Sequence, residues 1–84
     1  MTNNLNKLLK HRTREHNNMI IVEELNYTAQ SHKPYYKTIA YWDMIEKAGN
    51  IQLNILSPDK NYKTFGRWKV AVKKDIGIII TQTL

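Results

Sequence analysis

The spacing of the apolar residues changes once along the chain, at Gly49, and this change limits the possible folds most. Before Gly49, apolar residues recur every three or four positions, as on one face of an α-helix; after it, they alternate with polar residues, as in a half-buried strand. A chain that is helical first and extended later belongs to the α+β class, in which helices are segregated from an antiparallel sheet.

Three segments before Gly49 carry the helical pattern. The spacing predicts helices over residues 4–16, 19–30 and 34–48, although the β-branched run Met19–Val22 also favours a strand. Pro34 suits the first turn of the third helix, and Gly49 is placed to end it. We therefore expect two or three N-terminal helices. The apolar stripe of the third helix consists of Tyr35, Thr38, Ile39, Trp42 and Ile45.

Three segments after Gly49 carry the alternating pattern. They predict strands over residues 51–55, 67–73 and 77–84, with a loop over 57–66 between the first two. Short connections between successive strands favour an antiparallel meander. The last strand is apolar, and as an edge strand it would expose unpaired backbone, so a homodimer through this C-terminal strand is a further hypothesis.

The length and composition predict one small globular domain over residues 1–84. The chain has no cysteine, which excludes disulfides and thiolate metal sites. Its longest apolar runs, such as Ile76–Ile80, are far shorter than a membrane span. From these features we expect a soluble, cytoplasmic protein without membrane insertion.

A run of positive charge dominates the C-terminal third of the chain. Residues 60–74 contain six Lys or Arg and no acid, within a chain of net charge +6 and pI near 9.7. Such a run is either a contact surface for an anionic partner or the solvated side of a hairpin. A solvated surface normally mixes both signs of charge, so the absence of acids keeps the contact surface open beside the solvated one.

A helix over 34–48, followed by a basic hairpin, resembles the C-terminal half of winged-helix domains. The stretches "MIEKAGNIQLNIL" and "GRWKVAV" carry the resemblance, which covers about residues 34–74. It implies a helix directed at a groove of nucleic acid and a wing along the phosphate backbone. The expected nucleic-acid or partner contacts are Lys37, Lys47, Lys60, Tyr62, Lys63, Arg67, Lys69 and Lys73.

The sequence carries no recognisable catalytic constellation. Its seven acids are scattered, and His11, His16 and His32 are not spaced to bind one metal from a helix. There is no glycine-rich phosphate loop. We therefore expect a non-enzymatic protein without a cofactor or a metal.

Two functional hypotheses remain open. The first is a regulatory protein that contacts DNA or structured RNA through helix 34–48 and hairpin 57–74. The second is a small phage-type accessory protein that binds and inhibits or modulates an acidic host or defence protein. An abundance of residues with A/T-rich codons (Asn, Lys, Ile and Tyr) suits the second hypothesis.

Overall fold

The computed structural model describes residues 10–52 and 59–83, which form one antiparallel sheet and one helix. The sheet has five strands in the order β1-β2-β3-β4-β5, so each strand pairs with its neighbour in sequence. The helix follows the last strand. The elements are β1 (His11–His16), β2 (Met19–Tyr27), β3 (Pro34–Asp43), β4 (Ala48–Ile51), β5 (Lys60–Tyr62) and α1 (Phe65–Asp75).

Tight turns join the first four strands. Asn17 and Asn18 connect β1 to β2 with φ angles of 50° and 64°, as a two-residue type I′ turn requires, and Asn tolerates this left-handed conformation. Asp43 ends β3, where its Oδ1 accepts hydrogen bonds from the backbone N–H groups of Ile45 and Glu46. These side-chain contacts turn the chain back into β4.

A β-bulge in β3 adjusts which residues face the core. Val22 pairs with Ala40 and Glu23 pairs with Thr38, so Ile39 is an extra residue in β3. Both Ile39 and Ala40 are buried in the core. Without the bulge, strict alternation would direct one of them away from it.

The core lies between one face of the sheet and α1. Trp42 of β3 and Trp68 of α1 are both buried, with ring centroids 6.1 Å apart, and Phe65 packs 5.6 Å from Trp42. The Trp68 indole N–H donates to the Asn50 backbone carbonyl at 3.2 Å, which ties the helix to β4. Ile20, Val22, Ile51, Val72 and Ile80 complete this cluster. Trp42 and Trp68 each lie on the apolar side of their pattern in the sequence, which predicts that both belong to the core, and this prediction is confirmed.

The predicted N-terminal helices are wrong, because residues 11–16, 19–27 and 34–43 are strands. The stripe predicted for helix 34–48 is not one face, since Tyr35 is 45% exposed and Ile45 is 70% exposed. Aromatic and β-branched residues dominate β3 and favour a pleated strand. Of the two alternatives for Met19–Val22, the strand is correct. Residues 4–9 of the first predicted helix lie outside the described residues.

The predicted three-stranded meander is also wrong. Residues 67–73 lie within α1, and residues 77–83 form no strand. The burial of Trp68 and Val72 is compatible with a strand and with a helix, because their spacing fits both. Val70 distinguishes the two structures: in a strand its side chain would be buried beside Trp68 and Val72, whereas it is 69% exposed. With neither helix 34–48 nor a second wing strand, the winged-helix resemblance fails.

Parts of two predicted strands, 51–55 and 77–84, lie outside the described residues. Of strand 51–55, Ile51 ends β4 and residues 53–55 lie outside the described part, as do Leu84 and the first residues of loop 57–66. Ile80 is buried in the core, so residues 77–83 are not the exposed edge strand on which the homodimer hypothesis rested. No helix within residues 10–52 and 59–83 is long and apolar enough to cross a membrane.

Gly49 provides a test of the packing between α1 and the sheet. A Cβ at this position would lie 2.5 Å from Trp42 Cε3 and 2.9 Å from Trp68 Cδ1. We expect Gly49→Ala to lower the free energy of unfolding by about 1–3 kcal/mol, because the two rings would have to separate. Urea denaturation followed by tryptophan fluorescence measures this change.

Gly66→Ala is the matched control. Gly66 lies in the first turn of α1, and a Cβ there meets nothing within 4 Å. This variant should raise the free energy of unfolding by about 0.5–1 kcal/mol, because alanine favours a helix. Equal stability of the two variants would contradict the packing described for Gly49.

Candidate functional site

The outward side of α1 carries a dense group of cations, which we call the α1 cationic face. Trp68 and Val72 point into the core, so Arg67, Val70 and Lys74, which follow one another at helical spacing, point outward. Lys73 is also exposed, and Lys69 lies at the side of the helix with its Nζ 5.3 Å from the Phe65 ring centroid. The face consists of Lys63, Arg67, Lys69, Lys73 and Lys74.

Acidic residues do not neutralise the α1 cationic face. Within the described ranges, the only ion pair of this region joins Lys60 Nζ to Asp75 Oδ2 at 3.4 Å. The five cations of the face have no acidic partner among those same residues. The first turn of α1 also contains no acid that would offset the positive end of the helix dipole. The positive charge of this face is therefore not compensated by the described acids.

A groove of about 380 Å³ runs between α1 and the edge strand β5. Its apolar part is formed by Tyr62, Val70 and Ala71. Three cations also line it, together with Asp75. A smaller hollow of about 150 Å³ lies on the other side of Val70, between α1 and Ile79 and Ile80. The larger groove is lined by Lys60, Tyr62, Gly66, Arg67, Val70, Ala71, Lys74 and Asp75.

The structure brings six of the eight predicted contact residues together. Lys63, Arg67, Lys69 and Lys73 belong to the α1 cationic face, and Lys60 and Tyr62 lie on β5 beside it. Lys74 completes the face; it belongs to the cationic run of residues 60–74 but is absent from the predicted contacts.

Lys37 and Lys47 lie on other elements. Lys37 is in β3 opposite Glu24 of β2. Lys47 is in the β3–β4 turn with a φ of 55°. They were expected beside the other contacts because helix 34–48 would have carried them, and that helix is not present.

A second charged cluster occupies the sheet face opposite α1. Arg12 and Arg14 of β1 both donate from Nε to the same oxygen, Oε1 of Glu23, at 2.9 and 3.1 Å. The Arg12 guanidinium also lies 3.6 Å from the centroid of the Tyr36 ring. We call Arg12 and Arg14 the arginine pair. Both arginine side chains are nearly half exposed, at 45% and 44%, whereas the Glu23 side chain is only 6% exposed.

Burial and the two arginines act in opposite directions on the pKa of Glu23. Burial raises this pKa, because a carboxylate loses hydration in the protein. The hydrogen bonds and charges of Arg12 and Arg14 lower it and together outweigh burial, so the net result is a pKa below the usual 4.5. Glu23 is therefore ionised at neutral pH and holds both arginines.

The sequence contains a signal for the arginine pair that the helical interpretation concealed. Arg12 and Arg14 are two residues apart, a spacing that places them on one face of a strand and on different sides of a helix. Lys10, whose carbonyl accepts a hydrogen bond from the Leu25 N–H, extends the same alternation. The helical pattern predicted for residues 4–16 grouped Arg14 with Lys10 and separated Arg12 from both.

The histidines and acids do not form a metal site in the described ranges. No group of three His, Asp or Glu side chains there is close enough to bind one ion. His11 instead pairs with Glu24, with 3.3 Å between Nε2 and Oε2. What the described surface offers is arrays of cations suited to binding an anionic partner.

Comparisons with known proteins assign no family to the chain. No protein-family model matches the sequence. No curated protein and no solved structure gives a significant match either.

The buried carboxylate of Glu23 makes stability depend on pH. We expect Glu23→Gln to lower the free energy of unfolding by about 1–3 kcal/mol at pH 7, because charge-assisted hydrogen bonds to two arginines are lost. The folded-state pKa lies below the unfolded one, so this stabilisation is complete above pH 4.5 and is lost as the pH falls through the folded pKa. Urea denaturation from pH 7 to pH 3 measures the difference.

Glu46→Gln is the matched control, because Glu46 is exposed and forms no ion pair among the described residues. It should leave stability within about 0.5 kcal/mol of the parent. If the difference between the parent and Glu23→Gln stays constant down to pH 3, the paired state of Glu23 is refuted.

Proposed function

We propose that this chain is a non-enzymatic binding protein whose α1 cationic face contacts the phosphate backbone of nucleic acid. One observation carries the proposal: five cations of a single short segment lie on or beside the outward side of one helix. None of them forms an ion pair with a described acid. Positive charge that the protein itself leaves uncompensated is available to a polyanion.

The spacing of the cations on the α1 cationic face matches a ligand that carries negative charges at regular intervals. Arg67 and Lys74 are seven residues apart, about two helical turns, so they span about 10 Å along the helix. Phosphates recur along a nucleic acid strand, and several can be contacted at once from such a row. Val70 lies between these cations with its side chain exposed. The surface thus combines several charge contacts with one apolar contact.

A feature of the adjoining groove favours the second candidate, an acidic protein partner. The groove between α1 and β5 is apolar where Tyr62, Val70 and Ala71 line it, and cationic at its margins. An apolar side chain flanked by carboxylates would be complementary to this arrangement. This candidate corresponds to an accessory protein that captures one acidic target.

Replacing cations on α1 tests the nucleic-acid proposal. We expect the triple variant R67Q/K73Q/K74Q to bind a fluorescent 20-base-pair duplex at least about tenfold more weakly at low salt. The slope of log affinity against log salt should fall in magnitude by about 0.9 for each phosphate contact that is lost. Fluorescence anisotropy across a series of salt concentrations measures both quantities.

The control is a second triple variant, K33Q/K37Q/K47Q, which removes the same charge from other parts of the surface. It should weaken binding clearly less than R67Q/K73Q/K74Q does. Equal losses would show that net charge alone attracts the duplex and would overturn the assignment to α1. Absence of salt-dependent binding, together with a stoichiometric protein partner that survives nuclease treatment, would support the acidic protein instead.

A further inference from the structure

We propose that the arginine pair, Arg12 and Arg14, forms a binding site for one phosphate group. The site lies on the sheet face opposite α1: Arg14 pairs with Ile21 and Arg12 with Glu23, whereas the alternate residues Ile20 and Val22 face the core under the helix. It therefore does not depend on the function proposed for the α1 cationic face.

The hydrogen bonds of the pair leave most of its donors available. A guanidinium carries five N–H groups, one on Nε and four on the two Nη atoms. Each arginine uses its Nε to reach Glu23 Oε1. Both arginine side chains are nearly half exposed, at 45% and 44%. The remaining donors are on the Nη atoms, which are the arms that bind an oxyanion in pairs.

The surroundings hold the pair in position before any ligand arrives. Glu23 is almost fully buried and anchors both Nε atoms, and the Tyr36 ring supports the Arg12 guanidinium from one side at 3.6 Å. Long side chains that are already ordered lose less conformational entropy on binding. Such ordering distinguishes these arginines from ordinary surface cations.

The charge of the cluster favours an anion. Two guanidinium groups share one carboxylate, so the cluster keeps one net positive charge. Lys10, one residue before β1, continues the alternation of Arg12 and Arg14 in the sequence. One arginine would be sufficient to neutralise Glu23. The second arginine leaves one positive charge without a partner in the cluster. A net positive charge is expected of an anion-binding site and not of an ion pair that is neutral overall.

The number of donors favours phosphate over carboxylate. A carboxylate has only two oxygens, and the fork of one arginine can engage both of them. A terminal phosphate group presents three oxygens, so it can accept from both forks at once. The ligand class is therefore inorganic phosphate or a phosphomonoester, which share this terminal group; a backbone phosphodiester has only two non-bridging oxygens.

The first experiment uses the unmodified full chain. Inorganic phosphate is titrated at constant ionic strength while the NMR signals of the arginine Nε–H groups are recorded, with acetate as the comparison. We expect saturable shifts of the Arg12 and Arg14 signals with phosphate and at least about tenfold weaker binding of acetate. Absence of saturable shifts, or equal response to both anions, would overturn the proposal without requiring any variant to fold.

The second experiment separates recognition by the guanidinium fork from simple charge. R14K keeps the charge and loses the fork, so it should weaken phosphate binding at least about fivefold. K33Q removes a charge elsewhere and should have a smaller effect. If R14K binds phosphate as tightly as the parent, the pair merely neutralises Glu23. The melting temperature of R14K shows whether it is folded, and R12K replaces it if it is not.

The source of the phosphate is distinguished in the R67Q/K73Q/K74Q background. If a single-stranded oligonucleotide with a 5′-phosphate still shifts the Arg12 and Arg14 signals there, and one without it does not, the site takes the terminal phosphate of a nucleic acid. If only inorganic phosphate does so, the site takes a small phosphate ligand. If neither does so, the site is refuted, whatever the result for α1. Retained phosphate binding with complete loss of duplex binding would show that the two surfaces are separate.

Discussion

The contact of Trp68 with Trp42 over Gly49 determines how the rest of the molecule is arranged. A five-stranded sheet with nothing packed on it would leave Ile20, Val22 and Ile51 in water. The helix α1 packs on β3, β4 and β5, and Ile78 and Ile80, which follow it, belong to or pack against the same core cluster. Gly49 allows both indole rings to approach β4 closely, and the Trp68 N–H bond to the Asn50 carbonyl fixes the helix along that strand. Much of the small core therefore depends on one aromatic pair.

The same contact determines which residues of α1 reach solvent. Once Trp68 and Val72 are buried, helical geometry directs Arg67, Val70 and Lys74 to the opposite side. A charge run in sequence thus becomes a charged surface. Lys60 is not part of this surface, because its ammonium group pairs with Asp75. Which cations belong to the α1 cationic face therefore depends on the fold and not only on the sequence of charges.

Some features were accessible from the sequence and others were not. The acid-free run 60–74, the break at Asn17-Asn18 and the burial of both tryptophans follow from composition and local pattern. The type of element did not, because Tyr35, Thr38, Ile39 and Trp42 satisfy a helical spacing while their side chains favour strands. The arginine pair needs the cross-strand register of β1 and β2, and its contact with Tyr36 also needs the β2–β3 register beyond the bulge at Ile39.

The position of the two cationic surfaces on opposite sides of one sheet has a geometric consequence. A straight, rigid partner such as a short duplex can lie against only one of them, because the sheet separates the two. Engaging both at once requires either a flexible ligand that passes around the sheet edge or two separate ligands. Cations on both sides of the sheet thus form two separate surfaces and not one continuous surface.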